Sequence, residues 1–131
     1  MKPLEILLIE DNPADAKLTA EALLCASASN HITVIPTGEE AMAFLRDPHT
    51  TLIDLIFMDL HLPGKGGLEV LADLQRDVRL KNIPVVILTG SNDPEEIAEL
   101  KKYPVYQYLV KPHVLDGYII TMKVLIARFF H

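Results

Sequence analysis

Glu10-Asp11, Asp59, Thr89 and Lys111 are the residues of this 131-residue chain whose types could do chemistry together. Each stands where a short apolar run meets a polar group: the run from Leu4 meets Glu10-Asp11, that from Leu55 meets Asp59, that from Pro84 meets Thr89, and that from Tyr106 meets Lys111. Three carboxylates crowded together repel one another and need a cation to stay ionised. An all-oxygen donor set with few protein ligands suits Mg2+ or Mn2+, which keep several waters and take a phosphate oxygen. An ammonium and a hydroxyl beside such a cation suit the equatorial oxygens of a phosphoryl group in transfer. These types therefore point to Mg2+-assisted phosphoryl transfer with one Asp as the nucleophile.

That chemistry requires elements that bring the run ends to one rim. Leu4 to Ile9 has strand length, and Asn12 or Asp11 can cap a following helix with Pro13 at its first position. That helix carries Ala16, Leu18, Ala20, Leu23 and Leu24 to about Ala26. His31 to Ile35 is β-branched and reads as a second strand, and Thr37 with Glu40 forms a capping box for a helix to about Arg46. Leu55 to Leu60 is a third strand, followed by a helix from Leu68 to about Arg76. Pro84 to Thr89 is a fourth, followed by a helix opened by Asp93-Pro94-Glu95-Glu96. Tyr106 to Val110 is a fifth, and residues from about Leu115 to Phe129 form the last helix.

Strands apolar on both faces and separated by helices call for a parallel sheet covered on both sides. Five such units leave the sheet open, because a closed barrel needs eight. The expectation is one doubly wound α/β domain over residues 1–131. In such a sheet ligands bind outside the carboxyl ends of the strands, where the five polar groups stand. A lone Asp at a strand end is ordinarily a cap or turn former. Its recurrence with Thr and Lys on different strands is what favours a site.

Composition narrows the function classes. Half the residues are hydrophobic and 23% are charged, which argues against a disordered chain. A net charge of −6 speaks against binding nucleic acid or an anionic membrane through a basic face. One cysteine, Cys25, excludes an internal disulfide and reads as a core-facing helix residue. The absence of Trp and the 6% aromatic content argue against a stacking platform. The N-terminal apolar run is too short for a signal peptide and Tyr118 to Phe130 too short to span a bilayer, so a cytoplasmic location is expected.

Neighbouring chemistries fit less well. Gly64-Lys65-Gly66-Gly67 fails as a P-loop, since Asp59 stands where its first Gly is needed and no Ser or Thr follows Lys65. A helix-entry loop is the better reading. A phosphatase of the haloacid-dehalogenase kind needs a second Asp two residues after the nucleophile, where this chain has His61.

With these residues in place, the chain from Leu4 to about Phe129 resembles the receiver domain of two-component response regulators. The resemblance rests on Glu10-Asp11, Asp59, Thr89 and Lys111-Pro112, spaced by 30 residues from Asp59 to Thr89 and 22 from Thr89 to Lys111. Pro63 and Gly67, four and eight residues after Asp59, also match. The Leu62-to-Gly67 loop, the Lys81-to-Thr89 stretch and the separation of 48 positions from Asp11 to Asp59 look like the small receivers that partner phytochrome-type histidine kinases.

The resemblance implies a flavodoxin-like (βα)5 fold with strand order 2-1-3-4-5. It implies that Asp59 accepts a phosphoryl group from a kinase phosphohistidine. Mg2+ (or Mn2+) would be held by Asp11, by Glu10 mainly through water, by Asp59, and by the backbone carbonyl of His61. Lys111 would pair with the phosphoryl oxygens, Thr89 would move toward them, and Tyr108 matches the aromatic switch position. Output would run through the fourth helix, fifth strand and fifth helix. His61, at the mouth, and the small Gly90 would tune the phosphoryl lifetime. The chain would catalyse only its own phosphorylation and dephosphorylation, and would act as a stand-alone receiver without an effector domain. A phosphorelay intermediate, a phosphate sink and a non-phosphorylated interaction module are the alternatives. Phe129-Phe130 either offers a homodimer contact through the last helix region or folds back on the core. His113 is expected in a surface loop.

Overall fold

The computed structural model describes residues 3–27, 29–90, 93–112 and 114–129. Strands and helices alternate: β1 (Glu5–Ile9), α1 (Pro13–Ala26), β2 (His31–Ile35), α2 (Gly38–Arg46), β3 (Leu55–Asp59), α3 (Gly67–Arg76), β4 (Val85–Thr89), α4 (Pro94–Leu100), β5 (Gln107–Val110) and α5 (Leu115–Ala127). The strands form one parallel sheet in the order β2-β1-β3-β4-β5. This is the flavodoxin-like architecture, and each element lies within about two residues of its expected bounds.

The sheet's two-residue period divides the core in two. Leu7, Ile9, Ile56, Met58, Val85 and Ile87 face α2, α3 and α4. Ile6, Leu8, Leu55, Phe57, Val86 and Leu88 face α1 and α5. The helix starts follow from their caps. Asn12 Oδ1 accepts from the N–H groups of Ala14 (2.9 Å) and Asp15 (3.1 Å), Thr37 Oγ1 from Glu40 N–H (3.1 Å), and Asp93 Oδ1 from Glu95 N–H (3.0 Å).

Helix α1 departs from expectation. Its buried residues are Ala16, Thr19, Ala22 and Leu23, while Leu24 and Cys25 are exposed. Cys25 is therefore a surface residue rather than a core one. The apolar residues of α1 spread around the helix, so periodicity leaves its rotation open. What fixes it is packing on α5, where Thr19 Oγ1 and Tyr118 Oη share a buried 2.9 Å hydrogen bond. Burial pushes the Tyr118 hydroxyl up to about 12, with the Thr19 hydrogen bond opposing.

The glycine loop before α3 is the expected helix entry. Lys65 Nζ pairs with Asp73 and holds that carboxyl below its usual range, while Lys65 N–H donates to Glu39 Oε1 at 2.8 Å. Gly64 takes a left-handed φ of 67°, open to glycine at little cost. Phe129 folds back: its ring centroid lies 5.1 Å from that of Tyr106. Phe130 and His113 fall outside the described residues. Among the described residues, no helix is long and apolar enough to cross a membrane.

Candidate functional site

Strand alternation builds the site. Leu8 and Phe57 face α1 and α5, so two residues further on Glu10 and Asp59 fall on the same side. Register makes them neighbours, because Ile9 pairs with Met58. The sheet also carries Glu10 one step past β1, through Glu10 N–H donating to Ile35 O at 3.1 Å. Both are buried, Glu10 to 2% exposure and Asp59 to 8%. Asp11 is exposed where the chain turns into α1. One carboxylate oxygen from each of Glu10, Asp11 and Asp59 lies within 4.8 Å of the other two.

Lys111 closes the pocket from β5. Its backbone N–H donates to Thr89 O at 2.7 Å, which extends the β4–β5 pairing beyond Val110. Its Nζ donates to Glu10 Oε1 (2.6 Å), Asp15 Oδ2 (3.0 Å) and Asp59 Oδ2 (3.3 Å). Three carboxylates thus face one ammonium, with Asp11 beside two of them, and titration follows the imbalance. Burial pushes the Glu10 carboxyl up to about 7; the Lys111 hydrogen bond opposes this and Asp59 reinforces it. Burial alone would discourage the Lys111 ammonium. Its bonds to Glu10 and Asp15, with the charges of Asp59 and Glu10, outweigh that and hold it above the ordinary lysine range. Both shifts favour the protonated form, so the pocket is short of positive charge.

That shortage, with all-carboxylate donors and room for water beside the exposed Asp11, fits a hard divalent cation of the Mg2+ or Mn2+ type. A carboxylate at Asp59 can act as a nucleophile, while an ammonium at Lys111 and a cation held by the acids can oppose the charge of a phosphoryl group.

The other expected residues are arranged as follows. Thr89 is buried at the end of β4, and Gly90 follows it with open space where a Cβ would stand. His61 N–H donates to Asp59 Oδ1 at 3.1 Å, so the backbone just past Asp59 is folded onto its carboxylate. The turn is tight because Gly67 lies against it: a Cβ there would come within 2.8 Å of Leu60 O. The His61 side chain reaches out instead, with Nε2–H donating to Glu96 Oε1 on α4 at 2.7 Å. Tyr108 is not gathered into the acidic pocket. It is exposed on β5, lining a 390 Å³ groove with Leu100, Lys101, Tyr103, Val105 and Tyr106.

Two participants, Asp15 and Glu96, escape the sequence reading. Each sits in the first turn of a helix, where an acid ordinarily complements the helix dipole, so its type carries no further signal.

The chain is similar to known proteins over most of its length. Residues 6–120 match the model of the response regulator receiver domain family. The chain is 37% identical over 113 residues to the response regulator Rcp1 of Synechocystis sp., covering 83% of this chain and 77% of that one. The crystal structure of the phosphorylated cyanobacterial phytochrome response regulator RcpA superposes with a TM-score of 0.86 at 36% identity, over 94% of this chain and 91% of that one. The Mn2+-bound form of Rcp1 gives a TM-score of 0.86 at 32% identity, over 98% of this chain and 96% of that one.

Proposed function

The chain belongs to the response regulator receiver domain family, and from that premise we propose that Asp59 accepts a phosphoryl group from the phosphohistidine of a histidine kinase. A carboxylate oxygen of Asp59 attacks phosphorus, the phosphorus–nitrogen bond breaks, and its electron pair leaves with the imidazole, giving an aspartyl phosphate. Mg2+ (or Mn2+), when bound, supplies charge neutralisation for the phosphoryl oxygens, and Glu10, Asp11, Asp59 and the His61 carbonyl are the residues that would hold it. Rcp1 has a Mn2+-bound form, which supports the assignment. Lys111 meets a phosphoryl oxygen with an ammonium proton, and the Thr89 hydroxyl moves toward another.

The observation that carries this reading is the Lys111 ammonium, 3.3 Å from Asp59 Oδ2 and held by two further acids. It is an electrostatic clamp beside the acid of the pocket that ends a central strand. The small Gly90 and the His61 side chain at the mouth govern how easily water reaches the product.

Output follows from what the site adjoins. Thr89 ends β4 beside β5, and β5 carries exposed Tyr108 and Val110, with exposed Tyr106 just before it, next to α4 and α5. A phosphoryl group adds roughly two negative charges at Asp59. Movement of Thr89 toward it, with Tyr108 following, would reshape that apolar face for a protein partner. Likeness to RcpA, named a phytochrome response regulator, supports a kinase of the phytochrome type. Incubation with acetyl phosphate and Mg2+ tests the reading. A mass gain of one phosphoryl group, absent in Asp59→Asn, is expected. No gain in the wild type would leave an interaction module.

A further inference from the structure

Asp15 is the carboxylate of the pocket that the metal chemistry leaves unused. The oxygens gathered within 4.8 Å belong to Glu10, Asp11 and Asp59, yet Asp15 Oδ2 lies closer to Lys111 Nζ (3.0 Å) than Asp59 does (3.3 Å). An ammonium has three protons to donate, and Glu10, Asp15 and Asp59 take one each. A divalent ion among Glu10, Asp11 and Asp59 competes with Lys111 for two of those acceptors. Asp15 is the one left.

Exposed ion pairs contribute little, and the Asp15 side chain is 42% exposed. The Lys111 side chain is only 16% exposed, so water is a poor substitute for its lost acceptors. Asp15 is also built to stay in place. Its backbone N–H is tied to Asn12 Oδ1 at 3.1 Å. One turn further along α1, Thr19 is bonded to the buried hydroxyl of Tyr118 on α5, the helix that follows Lys111 in the chain. The helix bearing Asp15 is thereby fixed to the element that continues from Lys111.

Resting on the phosphoacceptor reading of this pocket, we infer that Asp15 is a positioning residue. It holds the Lys111 ammonium over Asp59 when the pocket is loaded with a divalent cation, and so sets how well Lys111 meets the incoming phosphoryl oxygens.

The test compares the wild-type chain with Asp15→Ala and Asp15→Glu in the presence of Mg2+. Nitrogen-detected NMR is expected to show a slowly exchanging Lys111 ammonium in the wild type, lost in Asp15→Ala and regained in Asp15→Glu. Affinity for beryllofluoride, a phosphoryl mimic, falls about tenfold in Asp15→Ala, the size found when a supporting partner of a site is removed, and recovers in Asp15→Glu. Affinity for Mn2+ changes by less than about threefold, since an exposed charge outside the ligand set is screened. A Lys111 signal that persists in Asp15→Ala, or an unchanged beryllofluoride affinity, overturns the inference. If the wild type binds no beryllofluoride, the phosphoacceptor reading fails and the ammonium signal alone decides the role of Asp15.

Discussion

Glu10 carries a conflict that pH should expose. Its carboxyl is buried, adjoins Asp59, and is raised from 4.5 to about 7. A carboxyl whose pKa is higher in the folded than in the unfolded state leaves the native protein binding more protons. Its contribution is therefore favourable at low pH and is lost as pH rises from about 4.5 through about 7. The raised Lys111 acts only above the ordinary lysine range and leaves this window alone. Without divalent cations, the unfolding free energy from urea titration should decline across the window by on the order of 1–2 kcal/mol, after allowance for solvent screening. Glu10→Gln should flatten that part of the profile, and a profile indifferent to the substitution would count against the conflict. Glu10 and Asp59 are readable in the sequence because a carboxylate ending a strand-length apolar run has few other reasons to be there. Asp15 is not. Its partner Lys111 is 96 residues away, and their meeting depends on the rotation of α1 and the placement of β5.

The five strands and the helix caps are local signals, which is why Asn12, Thr37 and Asp93 mark their helices in sequence and in structure alike. Helix faces are a different matter. The apolar residues of α1 point several ways, and only contact with α5 selects Thr19 and Leu23 for burial over Leu24 and Cys25. Contact between elements also gives His61 its setting. Helix α4 spans seven residues and fully buries only Leu100, so the His61–Glu96 hydrogen bond is a notable part of what ties it to the loop after Asp59. The bond holds α4 against the loop that follows Asp59, and on the proposed reading such a contact would limit the approach of water. His61→Ala and Glu96→Ala should each speed loss of the aspartyl phosphate, by roughly threefold as expected for a partial cover. The double variant should be no faster than either single one, because both remove the same contact. The measurement is the decay of phosphorylated protein after acetyl phosphate is removed by desalting. Wild-type decay in both single variants would show the pair to be a surface contact without effect on the site.

At the scale of the molecule, strand order depends on which strands meet across the whole chain. Local periodicity does not record that, so the order 2-1-3-4-5 is readable only through family resemblance, whereas alternation suffices for the class of fold. Net charge changes meaning in the same way. The value of −6 reads as a general surface property until the fold places Glu10, Asp15 and Asp59 around one ammonium, with Asp11 beside two of them. Repulsion concentrated at one end of the sheet should be relieved by a cation that binds there, and far less by ionic strength. Mg2+ should accordingly stabilise the fold against urea by about 2.7 kcal/mol at a hundredfold excess over its dissociation constant, the increment any ligand confined to the native state provides. Asp11→Asn and Asp59→Asn should each remove most of that gain. NaCl at matched ionic strength should reproduce little of it, because screening acts on exposed charges more than on the buried Glu10 and Asp59. Equal stabilisation by the two salts would mean that the charge acts as a diffuse surface property after all, and that the pocket holds no specific ion.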